Sequence, residues 1–238
     1  MSVPAELRAR IAADYQPVRT LPSPWVRALM VLPFAIVTLL AAPLYFNVRP
    51  DAAQLGWLGV WGFSVLQSVL GLVIVAAALR ESVPGRGWSV AAIALWLSVP
   101  VAVIVTVTLV SWQASPVFLR SEWWTVALAC FAGSAATALP VVAFAAILAA
   151  RAYPTRPALA GALLGMGSGL MADAGWRIFC HFTEPSHVLS AHLAAVLMSA
   201  AIGSFAVARR NLERKHALNE PVDAGEDHRN RSEPRDLP

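Results

Sequence analysis

The sequence predicts an all-α integral membrane protein: six transmembrane helices in one bundle with both termini cytoplasmic. Three observations carry this. Hydrophobic residues make up 58% of the chain and charged residues only 13%, with a mean hydropathy of +0.61, whereas soluble domains carry about a quarter charged residues. No charge occurs between Arg27 and Arg49, between Asp51 and Arg80, or between Arg86 and Arg120. Basic residues mostly flank these apolar runs, which is a topology signal rather than a nucleic-acid footprint.

The first 24 residues are polar. Leu7, Ile11 and Tyr15 recur at a spacing of four, which predicts a short amphipathic helix that Pro17 ends. Such a segment suits an interfacial helix or a docking site for a cytoplasmic partner. No small-x-small site follows the first apolar run cleanly, so no cleavable leader is expected.

Six runs near 26–46, 56–79, 88–110, 125–149, 158–179 and 187–208 are each long enough for the roughly 30 Å of bilayer hydrocarbon that takes about 20 helical residues. Together they form a transmembrane domain over 25–209. Pro33, Pro43, Pro100 and Pro140 fall inside runs, as neighbouring helices allow. Trp57, Trp61, Trp88, Trp112, Trp123 and Trp124 lie near run ends, like an aromatic belt.

Loop charge sets orientation. One side gathers Arg8, Arg10, Arg19, Arg27, Arg80, Arg86, Arg151, Arg156, Arg209, Arg210, Arg214 and Lys215, and the other only Arg49, Arg120 and Arg177. The positive side is the cytoplasmic one. Residues 210–238 mix acids and bases with few apolar residues and read as a disordered cytoplasmic tail.

The stretch 161–192 concentrates the chemistry. Gly161, Gly165, Gly169, Asp173 and Arg177 recur every four residues, a slowly drifting stripe on a helix. The glycines permit close helix approach. Asp173 and Arg177 are expected to form an i,i+4 ion pair that orients the bundle, or to couple an outer stimulus to helix packing. Arg177 could also reach to the interface. His192, one turn into the sixth run, suits a hydrogen bond across the bundle or a sensing role.

Cys130 and Cys180 share the outer third of the membrane in this orientation. Free cysteines often act only as small apolar residues. The sharper alternatives are a redox pair facing an oxidising compartment or ligands of a soft divalent metal. The metal set would be Cys130, Cys180, His181 and His187, with Glu184 nearby, although the spacing fits no standard closed zinc motif. Ser168 and His192 could suggest an intramembrane protease. They sit at different depths, Met166 breaks the usual glycine-x-serine pattern, and no enzyme is expected.

Several of these segments resemble a known family, the six-helix inner-membrane anti-sigma factors called negative regulator of sigma F. They are LRARIAADYQPVRTLPSPWVRAL with Ala13, Asp14, Pro17, Val18 and Arg19; the Arg49–Pro50–Asp51 loop; the Pro84–Arg86 turn; and the glycine-rich fifth helix leading to Cys180, Pro185 and HVLSAHLAAVL. The resemblance implies an extracytoplasmic-function sigma factor held at the inner face of the lipid bilayer and released on stress. It implies sensing at Cys130 and Cys180, and partner binding by Leu7, Ile11, Asp14, Tyr15, Pro17 and Arg19. The competing class is a small-solute transporter or channel with Asp173, Arg177 and His192 along a polar path.

Overall fold

The computed structural model describes residues 4–14, 20–118 and 123–219, and every regular element among them is helical. A short helix α1 (Ala5–Asp14) precedes six long ones: α2 (Pro24–Phe46), α3 (Ala52–Glu81), α4 (Val90–Ala114), α5 (Trp123–Ala150), α6 (Pro157–Phe179) and α7 (Pro185–Ala217). Each of the six is long and apolar enough to cross a membrane. The side chains of Leu7, Ile11 and Asp14, and all of Tyr15, Pro17 and Arg19, lie outside the described residues.

The last boundary departs furthest from expectation. Helix continues through Asn219, so 210–219 are helical rather than the start of a disordered tail; 220–238 lie outside the described residues. Two contacts accompany the extension. Arg209 bridges Glu213 at 2.8 Å, an i,i+4 pair, and Arg214 donates to the carbonyl of Ala150.

The breaks inside the helices have local causes. In α2 the chain turns at Met30–Val31, just before Pro33, which lacks an N–H and crowds the preceding turn. In α3, Gly56 holds a positive φ of 70°, and a π-helical turn follows at Leu58–Gly62. A second π turn spans Val188–Leu193 in α7.

Helix α6 is the centre of the bundle. Of its most apolar window 83% is buried, against 22–56% in the other five, although its mean hydropathy of 1.2 is the lowest of the six. A helix that faces protein on all sides can carry glycine, serine and ionisable residues that a lipid-facing helix cannot. Its small residues set the approach of α7, α3 and α2. A Cβ on Gly161 or Gly165 would strike the α7 backbone at Gly203 or Ser199, and one on Gly167 would lie 2.6 Å from the carbonyl of Gly71 in α3. Gly175 faces the carbonyl of Thr38 in α2, and the Trp176 ring fills the notch at Gly133 of α5.

At one end of the bundle basic side chains close the helix C-termini. Buried Arg27 donates to the carbonyls of Leu79 at 2.6 Å and Leu148 at 3.1 Å. These belong to the last turns of α3 and α5, where cations complement the helix dipole. Arg156 pairs with Glu81 at 2.6 Å, and Glu81 also accepts from the N–H of Trp88. Cys180 marks the opposite end.

Candidate thiol and histidine cluster

Asn47, with a positive φ of 73°, turns the chain after α2 so that Arg49 reaches back to the C-terminus of α6. The N–H of Arg49 donates to Ile178 at 2.9 Å. Its guanidinium reaches the carbonyls of Arg177 and His181 and holds Asp51 through two bonds of 2.6 and 2.7 Å. Burial pushes the Asp51 carboxyl up, but the Arg49 bonds and charge outweigh it and hold the group below its usual value. Thr183 fastens the next loop by donating to Ser115 at 2.6 Å. Helix α6 therefore stops at a braced point, where Cys180 takes an extended conformation and its N–H bonds Trp176 at 2.7 Å.

This brace delivers Cys180 to Cys130. The two sulfurs lie 3.7 Å apart, both thiols are free and buried, and Ala127, Ala191, Val126, Phe131 and Phe182 pack around them. His187 brings Nε2 to 3.4 Å from the Cys180 sulfur. The ring of His192 lies 5.5 Å from that of His187. One ligand atom from each of Cys130, Cys180, His187 and His192 lies within 4.8 Å of all the others, and all four residues are buried.

The π turn explains the histidine pairing. Residues five apart on an α-helix point about 140° apart. An i→i+5 turn brings them nearly above one another, so Val188–Leu193 puts His187 and His192 on one face. His192, not His181, thus completes the group of four. His181 lines the same cavity as the two thiols but lies outside the group of four, its ring tilted against Phe182 with centroids 4.1 Å apart.

Behind the cluster, Asp173 bonds His192 Nδ1 at 2.6 Å through one carboxylate oxygen and accepts from Gln67 Nε2 at 2.6 Å through the other. Gln67 also donates to the carbonyl of Leu170. The expected Asp173–Arg177 ion pair is not formed among the described residues. Arg177 donates instead to the Thr108 hydroxyl at 3.3 and 3.4 Å. Positions four apart on a helix diverge by about 40° per step. The stripe therefore starts on α7 at Gly161, faces α7 and α3 at Asp173, and has turned to α4 by Arg177. Spacing alone pointed to neither Gln67, Arg49 nor Thr108, since each acts across helices from an apolar run or a loop.

A cavity of about 460 Å³ opens beside the thiols, lined by Phe46, Val126, Cys130, Trp176, Cys180 and Phe182 among others. Two adjacent thiols can be oxidised to a disulfide, and thiols with imidazoles can hold a soft metal. Ser168 has no hydrogen-bond partner among the described residues, so it forms no hydrogen-bonded nucleophile–base pair with His192.

A search of curated proteins and a search of solved structures each found no match. A family model described as negative regulator of sigma F matches residues 11–212, an interval containing α2–α6 and nearly all of α7. The matched interval takes in the Arg49 brace, the glycine-packed α6 and all four residues of the cluster, and the chain belongs to the negative regulator of sigma F family.

Proposed function

We propose that the chain is a bacterial inner-membrane anti-sigma factor that holds an extracytoplasmic-function sigma factor inactive and releases it on stress. The family match across 11–212 carries this reading. The six helices would span the bilayer with both termini in the cytoplasm. The grouping of Arg27, Arg80 and Arg156 around the ends of α3 and α5 supports that orientation. The sigma factor would dock on residues 1–24 and the loops near 80–87 and 150–157.

The stimulus would act at Cys130 and Cys180, whose 3.7 Å separation supports a shared response. Coupling requires two states with different affinity for the stimulus. Helix α6 is the natural carrier, because it ends beside Cys180 and packs along α7, α3, α5 and α2. We read the protein as having no catalytic activity. The transporter alternative is the weaker reading, because Asp173 and His192 bond each other while Arg177 turns to Thr108, so the three do not line one path.

The test is capture of sigma factors from detergent-solubilised membranes with the full-length chain and with a chain lacking residues 1–24. A sigma factor retained only by the full-length chain is the expected result. Retention of none by either chain, with both properly inserted, would sink the proposal.

A further inference from the structure

We propose that Cys130, Cys180, His187 and His192 form a closed tetrahedral site for one zinc-class divalent ion, with Asp173 as the residue that orients His192. The inference deepens the sensing proposal and rests on it for its regulatory meaning, while metal binding itself is independent of any sigma factor.

The ligand spacing is the first support. In a tetrahedron the edge is about 1.63 times the bond length, so zinc bonds of roughly 2.3 Å to sulfur and 2.0 Å to nitrogen require S···S near 3.8 Å and S···N near 3.5 Å. The structure has 3.7 Å between the sulfurs and 3.4 Å from Cys180 to His187 Nε2. Two thiolates and two neutral imidazoles form a standard zinc donor set, and soft sulfur ligands disfavour magnesium and calcium. All four residues are buried, which fits a closed structural site rather than one keeping a position open for water. A divalent ion with two thiolates is also net neutral, which lowers the penalty of burying it.

The surrounding groups are the second support. Metal-bound histidines commonly donate their other nitrogen to a carboxylate, which fixes the tautomer. Asp173 holds His192 Nδ1 at 2.6 Å, leaving Nε2 for the cluster, and Gln67 holds Asp173 in turn. His187 uses Nε2 toward Cys180. Its Nδ1 has no partner among the described residues. The larger cavity beside the thiols supplies an entry path. The sequence named Cys130, Cys180 and His187 but not His192, because the four ligands come from α5, the loop after α6 and the first turns of α7.

The test uses the full-length protein in detergent under a phosphine reductant, titrated with Zn(II) and, as a spectroscopic probe, Co(II). The expected result is one ion per chain by elemental analysis, with tetrahedral thiolate–cobalt bands. Cys130→Ser and His192→Asn should each weaken binding at least about 100-fold, and Asp173→Asn about 10–100-fold. His181→Ala should leave it unchanged. Asparagine at 192 keeps a donor for Asp173, and each variant is scored only as a monodisperse species. Wild-type protein that takes up no stoichiometric metal overturns the site, and so does His192→Asn binding like wild type or His181→Ala losing as much as His192→Asn. The sigma-factor capture run on the same preparations separates the two proposals. Capture without metal uptake removes the metal site and keeps the anti-sigma reading. Metal uptake without capture does the reverse.

Discussion

Replacing Gly165 with alanine tests whether backbone contact between α6 and α7 holds the bundle together. A Cβ there would sit 2.6 Å from Ala200 Cα and closer still to the carbonyl oxygen of Ser199. Ordinary contact begins at 3.4 Å, so the two helices must part by about 1 Å at a point packed to crystal-like density. Overpacking costs about 1–3 kcal/mol where side chains can adjust. Here the opposing atoms are backbone, so we expect about 3 kcal/mol. For a chain of this length that corresponds to a fall in melting temperature of about 6–12 °C. The assay is thermal unfolding in detergent, followed by tryptophan fluorescence. Gly62→Ala is the control, since its Cβ would meet only the Leu58 side chain, no closer than 3.3 Å, and its melting temperature should move by less than about 4 °C. If Gly165→Ala melts within about 2 °C of wild type, the close approach is not what fastens α7 to α6.

Two further outcomes follow from the buried polar groups. Asp173→Ala and His192→Ala should each cost about 3–5 kcal/mol, because each strands a buried partner. The double variant should fall short of their sum by at least about 2 kcal/mol in chemical unfolding, and simple additivity would show that the 2.6 Å contact carries no coupling. At the Arg49 brace, the folded-state titration of Asp51 lies below its ordinary value of 3.8. Its contribution is therefore fully present above that pH and is lost as pH falls through the lower folded value. The stability gap between wild type and Asp51→Asn should stay constant from pH 7 to about pH 5 and narrow below pH 3.8. A gap that closes near neutrality instead would refute the assignment.

The sequence by itself determined the helices and their membrane-compatible character. Charge-free runs such as 28–48 are long and apolar enough to cross a membrane, and their ends lie mostly within a few residues of the observed helices because prolines, tryptophans and arginines mark them. It also marked Gly161, Gly165 and Gly169 as a packing stripe, since i,i+4 spacing follows from helix geometry alone. Its reach ended where partners come from other helices. Cys130 and Cys180 could be placed at similar depth, but their 3.7 Å separation depends on the Arg49 brace and on how α5 lies against α6. His181 was the natural fourth member of the group by proximity in sequence. His192 displaces it because a π turn, invisible to a 3.6-residue period, rotates it toward His187. The Asp173–Arg177 pair failed for a related reason: a side chain in a crowded interior bonds the nearest good partner in space, and Asp173 met His192 and Gln67. Local periodicity is written in the order of residues, whereas the contacts that form the cluster are fixed only by how the helices pack.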